Sequence, residues 1–215
     1  VQLDPVDATD HAFHSYERDT NEKYLIVIGL DTDDSGNGGR CNVNIYDQSG
    51  TNYLLTATSE ALGYLSTPTP SQDLSFATIG DVTFIANKLK TVGLDDAGFL
   101  LSDTMPHQLV RNPNGAFTLE LYTSWNNRPA TGATGAAAEA IIPSPDFVGH
   151  GITDITFFRN RLGFVSDETV YFSTSGDYTN FWPKTEGQVI DSDPFGRTAS
   201  SSQVNKLRHV VAFRK

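Results

Sequence analysis

Two stretches of this chain repeat one another. Ile79-Gly-Asp-Val-Thr-Phe-Ile-Ala-Asn-Lys-Leu-Lys-Thr-Val92 lines up with Ile152-Thr-Asp-Ile-Thr-Phe-Phe-Arg-Asn-Arg-Leu-Gly-Phe-Val165. Seven of the fourteen positions are identical, and Val82/Ile155 and Lys88/Arg161 are like for like. A short extended unit met twice constrains the fold more than any other feature here. One such unit cannot bury its apolar face alone, so copies stack as blades or modules around a common core. That arrangement favours a scaffold over a single catalytic cleft.

The second copy continues as a meander. Ile155 and Phe157 take inward positions, Arg159-Asn-Arg161 turns the chain, and Leu162-Gly-Phe-Val-Ser166 returns. Asp167-Glu168 turns it again, and Thr169-Val-Tyr-Phe-Ser173 makes a third strand with Val170 and Phe172 on one face. In the first copy Val82 and Phe84 share one face, with Asp81 and Thr83 on the other. Upstream, Lys23-Tyr-Leu-Ile-Val-Ile-Gly-Leu30 is a branched apolar run of strand length, and Cys41-Asn-Val-Asn-Ile-Tyr46 alternates Val43 and Ile45 against Asn42 and Asn44. Turn residues at 47–50 lead to a further extended stretch at 52–56, and 59–65 reads as a short helical turn before Pro68 and Pro70. The turn Asn112-Pro-Asn-Gly115 introduces the strand-like 115–122.

No segment keeps a helical period, so the fold class is mainly β, in antiparallel meanders. The expected organisation is a polar lead-in (1–22), a first β module (23–93), a connecting β segment (94–128), a Gly/Ala/Pro-rich linker (129–147) and a second β module (148–215). The chain starts without an initiator Met and stops inside a strand-like run, Leu207 to Lys215, so it reads as a fragment.

Composition narrows the function. With 38% hydrophobic and 19% charged residues, the 215-residue chain is an ordinary globular sequence. No apolar run approaches the roughly 20 residues that span a bilayer. A single cysteine, Cys41, excludes an internal disulfide framework and a cysteine-based zinc cluster, and it fits a small apolar strand residue. A net charge of −11 opposes tight nucleic-acid binding, which needs cations to neutralise phosphates.

Candidate chemistry is thin. Asp31, Asp33, Ser35 and Gly36 have the opening spacing of a calcium loop, but Asn42 stands where a bidentate Glu belongs. The acid pairs Asp95/Asp96, Asp167/Glu168 and Asp191/Asp193 invite comparison with glycoside hydrolysis, yet each lies where turns favour Asp. His11, His14, His107, His150 and His209 lack metal-ligand spacing, and neither a nucleophile elbow nor a phosphate loop occurs. Arg159, Arg161, Lys206, Arg208, Arg214 and Lys215 fall singly or in twos, as in intersubunit or surface ion pairs. Trp182 with Phe181 fits burial against the preceding hairpin better than a sugar platform.

Several runs carry a family resemblance. Thr104-Met-Pro-His107 with Leu109-Val-Arg111, Asp154 to Phe164, and Tyr178-Thr-Asn-Phe-Trp-Pro183 closely resemble tail tubular protein B, the nozzle family of short-tailed (podovirus) bacteriophages. Asp81 to Asn87 and Ile45 to Gly50 match in the same order, so the resemblance covers most of residues 20–213. The motif positions it marks are Asp81, Thr83, Phe84, Asn87, Asp154, Phe157, Phe158, Arg159, Asn160, Arg161, Leu162, Gly163, Phe164 and Trp182.

The resemblance implies a structural protein of the virion tail, with no catalysis and no cofactor. It implies a ring, expected as a homo-hexamer, below the adaptor ring of tail tubular protein A. The ring would extend and gate the channel for DNA ejection, meet tail fibres and the host cell surface, and let double-stranded DNA pass without specific binding. The implied body is propeller-like, here incomplete and with long loops. The family's inserted domain between Val92 and Leu94 is absent, so Gly93 marks its place; residues 129–142 and the polar start have no counterpart.

An acidic channel wall would repel phosphates and keep DNA sliding, which points to the 31–34 loop or 191–193. Two other classes compete: a tail-associated polysaccharide hydrolase built on a carboxylate pair, and a carbohydrate-binding module using Trp125, Tyr178 and Trp182 as platforms.

Overall fold

A computed structural model describes residues 10–30, 41–133, 135–184, 190–199 and 206–211. The calcium-like loop at 31–36 lies outside them. Among the described residues no helix is long and apolar enough to cross a membrane.

The first sheet holds β1 (His11–Glu17), β2 (Lys23–Leu30) and β3 (Cys41–Asp47) in that spatial order, all antiparallel. β2 covers the branched apolar run, and its Ile26 and Ile28 are fully buried. β3 keeps the alternation read from its sequence, with Cys41, Val43 and Ile45 inside. β1 falls within the stretch read as a polar lead-in, yet Ala12 and Tyr16 are buried on one face. Their even spacing places them there with His14, whose ring stacks on Phe76 at 5.0 Å.

The second sheet has five strands: β4 (Leu55–Ala57), β5 (Leu74–Ile79), β6 (Val82–Asn87), β7 (His107–Arg111) and β8 (Phe117–Glu120). Their order is β4-β8-β7-β6-β5, antiparallel except for the parallel β4–β8 pair. Two short helices precede β5. α1 (Ser59–Leu65) starts at Thr58, whose hydroxyl accepts from the Ala61 amide, and α2 (Pro70–Asp73) begins on proline, which loses nothing at a first helical position.

The third sheet is a meander of β9 (Asp154–Phe158), β10 (Arg161–Ser166), β11 (Thr169–Phe172) and β12 (Phe195–Thr198). Its first three strands and both turns fall where the sequence places them. Arg159 and Asn160 both have positive φ, 48° and 61°, the mark of the two-residue hairpin turn whose twist matches the strands.

The five-stranded sheet lies between two cores. On one side Ile85, Leu109, Phe117 and Leu119 meet Ile26, Ile28 and Ile45 of the first sheet and Leu65 of α1. On the other side Phe84 and Ala86 meet Trp125, Phe147, Leu162, Phe164 and Phe181. β6 therefore sends alternate side chains into both cores. The face that Thr83 shares is sealed as well, since strands of a covered sheet are apolar on both sides. Each buried phenylalanine contributes about 2–3 kcal/mol.

The fold is mainly β and antiparallel, as expected. The described strands make three open sheets and not a closed barrel or complete propeller. The stretch read as a linker is more ordered than its composition suggests. It holds α3 (Gly135–Ile141), where alanines favour helix, and it anchors through buried Ile142 and Phe147.

Candidate functional site

Among the described residues, three clusters of chemistry-bearing side chains hold motif positions, and in each the side chains bind backbone or bridge elements. The first joins sheets one and two. Arg18 pairs with Glu22 (2.8 Å) and Asp81 (2.7 Å), and Arg111 pairs with Glu22 at 2.7 Å. The Tyr24 hydroxyl donates to Glu22 (2.6 Å) and accepts from Arg111 Nε (3.1 Å). Hydrogen bonds from Tyr24 and Arg18 hold Glu22 down to about 2. Burial, with Asp81 alongside, pushes the Tyr16 hydroxyl up to about 12. Sequence reading placed Asp81 among the motif positions and met Arg111 in a family-like run, but did not join them, because the members of this bracket are scattered over 94 positions of chain, from 18 to 111.

The second centre is Arg161, which is 7% exposed. Its Nη1 donates to the carbonyls of Ser173 (2.6 Å) and Asp193 (2.7 Å), and Nη2 to that of Asp191 (2.6 Å). The guanidinium also lies 5.1 Å from the centre of the Phe195 ring. One buried arginine thus fastens the 191–195 segment to the meander, a use suited to a planar fork of donors.

The third centre fixes residues 206–211. Asp154 accepts from the Val210 amide (2.9 Å) and from the Ser75 hydroxyl, and Asp167 accepts from Lys206 (2.9 Å) and His150 (2.6 Å). Lys206 and His150 help hold the Asp167 carboxyl below its ordinary value.

The remaining motif residues are packing and turn elements. Thr83 exchanges a 2.8 Å hydroxyl contact with Thr78; Asn87 donates to the Tyr64 carbonyl at 2.7 Å. Phe157 meets Tyr178 edge-on at 5.0 Å, Phe158 sits 6.5 Å from Phe172, and Asn160 accepts from the Tyr178 hydroxyl. Leu162 and Phe164 are fully buried, and a Cβ on Gly163 would stand 2.6 Å from the Phe172 ring. Trp182 is buried and donates its indole N–H to the Asn126 carbonyl at 2.9 Å.

The competing readings meet specific obstacles. Trp125 and Trp182 are 6% and 1% exposed, so they offer no flat face to a sugar. Asp95 is engaged by the amides of Ala97 and Phe99, and Asp193 by the amide of Ile190. Asp193 is also 3% exposed, so it cannot line a channel. A recess of about 510 Å³ gathers Ser166, His150 and Asp167, the composition of a nucleophilic triad. Ser166, however, is buried and donates to the Gly151 carbonyl at 3.1 Å, and no hydrogen bond among the described residues joins it to His150. Among the described residues no group of three or more His, Cys, Asp or Glu is placed to hold a metal. Cys41 is buried, and burial pushes its thiol up to about 12, which suits a packing residue.

Known proteins resemble this chain along its length. The profile of the bacteriophage nozzle protein family matches residues 4–98 and 90–215. Tail tubular protein gp12 of Escherichia phage T7 is 34% identical over 124 residues, which is 58% of this chain and 15% of that protein. The chain therefore spans about 15% of the length of the curated relative it matches.

Proposed function

Because the chain belongs to the bacteriophage nozzle protein family, we propose that it is a structural component of a phage tail, part of the wall of the tube through which DNA is ejected. The observation that carries this reading is the family match across the chain. The use of the motif supports it: Arg161, Asp154 and Asn87 all hold backbone in place. Such chemistry fixes the geometry of a wall and, among the described residues, leaves no group poised over a substrate.

In this reading the protein is not an enzyme. Copies form a ring, expected as a hexamer, against the adaptor ring, and they offer outer surfaces to tail fibres and the host envelope. The three sheets are the opening part of a propeller-like body completed by further chain. The two matched segments overlap at 90–98, which supports placing the family's inserted domain at Gly93. Of the acidic positions considered for the lumen within the described residues, Asp191 remains exposed, and passing duplex DNA would meet repulsion there.

Electron microscopy of intact particles labelled with antibody against residues 148–184 tests the reading. Label at the distal tail is expected. Label on the capsid, or particles that lack the protein yet eject DNA normally, would remove it.

A further inference from the structure

The third sheet has two unlike faces. Strand register puts Leu162, Phe164 and Tyr171 on the face that closes the second core, and Thr156, Phe158, Arg161, Gly163, Val165, Phe172, Phe195 and Arg197 on the other, where Thr156, Arg161 and Val165 are already buried and the strip from Phe158 through Phe172 to Phe195 is the part left open. On that outer face three phenylalanines, one each from β9, β11 and β12, remain half-buried. Phe172 lies 5.2 Å from Phe195 and over Gly163, where a side chain would clash. Arg159 stands 5.2 Å from the Phe158 ring centre, and Arg197 the same distance from that of Phe195. Asp154 shares the face at its far end, with its carboxylate held by Ser75 and Val210. The result is an aromatic, cationic surface on a chain of net charge −11.

Its chemical complement is present elsewhere on the same chain. Residues 94–101 form a small hairpin closed by the Leu94–Leu100 bridge, with its tip tied by Asp95. Phe99 and Leu101 are each 37% exposed, Asp96 and Asp103 flank them, and no basic residue lies between 94 and 104. Leu100 is rooted in the second core, the core that the other face of the third sheet closes, so the hairpin and the aromatic face are two separate surfaces.

We infer that the outer face of the third sheet receives the acidic hairpin of a second copy of this chain, Phe99 and Leu101 meeting the phenylalanines and Asp96 and Asp103 meeting Arg159 and Arg197. Two different, complementary patches give a head-to-tail contact, the kind that propagates into a ring. Aromatic and arginine side chains are the residues that anchor such contacts. The inference rests on the tube-wall reading above and assigns the surfaces that build it.

The test uses the full-length protein and two variants, R159E/R197E and D96K/D103K, with assembly followed by light scattering and folding by circular dichroism. Each variant alone sets like charges against each other, and its assembly is expected to weaken at least about tenfold. Mixing the two should restore assembly, because each presents the patch the other needs. Folded variants that assemble like the parent, or a mixture that stays apart, would overturn the inference. Recovery absent from the mixture is also the outcome if another part of the same chain covers the face. Loss of duplex DNA binding with assembly unchanged would reassign the face to nucleic acid. A parent protein that never assembles would instead sink the tube reading itself.

Discussion

The two copies of the repeated unit, identical at seven of fourteen positions, reach different structures. In the second, β9 turns through Arg159-Asn160 and pairs at once with β10, so Leu162 is fully buried. In the first, the equivalent Leu89 is 57% exposed, and the chain after β6 does not fold back. Instead Thr91 and Val92 bridge to Gly151 and Val148, next to the second copy. The cause lies beyond the unit. Both edges of β6 are taken, by β5 and β7, so no edge remains for a returning strand. β9 has an edge open to β10, and its other side is met by Ser75, which accepts from the Ile155 amide. Equivalent positions accordingly do different work: Asn160 makes a turn, whereas Asn87 closes a strand end against Tyr64. Arg161 is enclosed, whereas Lys88 reaches the buried Asp73 at 2.8 Å from a more exposed position.

Paired substitutions at equivalent positions can break this contrast. The largest effect is expected at the cationic position. Arg161→Leu strips three carbonyls of their donor, two of them buried, and should cost about 4 kcal/mol, against about 1–2 kcal/mol for Lys88→Leu, because Asp73 keeps the Thr67 and Thr69 hydroxyls. Urea unfolding measures both, and equal losses would show that the clasp is not what distinguishes the copies. Next comes the shared asparagine. Asn87→Ala should cost about 2–3 kcal/mol, since it removes buried bonds to Tyr64 and Leu89. Asn160→Ala should cost about 1 kcal/mol, for a left-handed residue and one exposed bond. The reverse ranking in thermal melts would contradict the assignment of turn and anchor.

Acid should loosen the first copy selectively. Tyr64, which holds Asn87, is stacked at 3.9 Å on His107, and burial drives that imidazole down to about 4. A folded value below the unfolded value of about 6.5 means that the unfolded chain binds the proton more readily. This contribution is therefore whole above pH 6.5 and is lost as the pH falls towards 4, on the order of 2 kcal/mol by pH 5. His107→Phe keeps the stack and removes that titration, so its stability should fall less than the parent's between pH 7 and 5, leaving the share of His14, which burial also holds below its ordinary value. A variant as acid-sensitive as the parent would place the effect elsewhere. The smallest test concerns Gly163 and its counterpart Lys90. Gly163→Ala forces a methyl group against Phe172 and Thr156 and should cost about 1–2 kcal/mol, whereas Lys90→Ala should be near neutral. Matching melting temperatures for the two would show that the close approach at Gly163 is not required.

Much of this was legible locally. Alternation in Cys41–Asp47, the branched run Lys23–Leu30 and the turn residues of the 154–172 meander declare themselves, because strand periodicity and hairpin turns depend on neighbours in sequence. β1 was hidden by its polar company, and α3 by the glycines around it. The bracket of Arg18, Glu22, Tyr24, Asp81 and Arg111 carried no local signal, since its order exists only after the two sheets meet.

The chain by itself determined that it would be mainly β, that one unit would occur twice, and that it resembles a nozzle protein. Those properties follow from side-chain identity and short-range spacing. Only tertiary structure decided that Leu162 would be enclosed and Leu89 left in solvent, and that Arg161 would grip carbonyls from 173 to 193. Strand edges and buried carbonyls are shared between distant segments, so a local pattern cannot say which partner arrives to claim them.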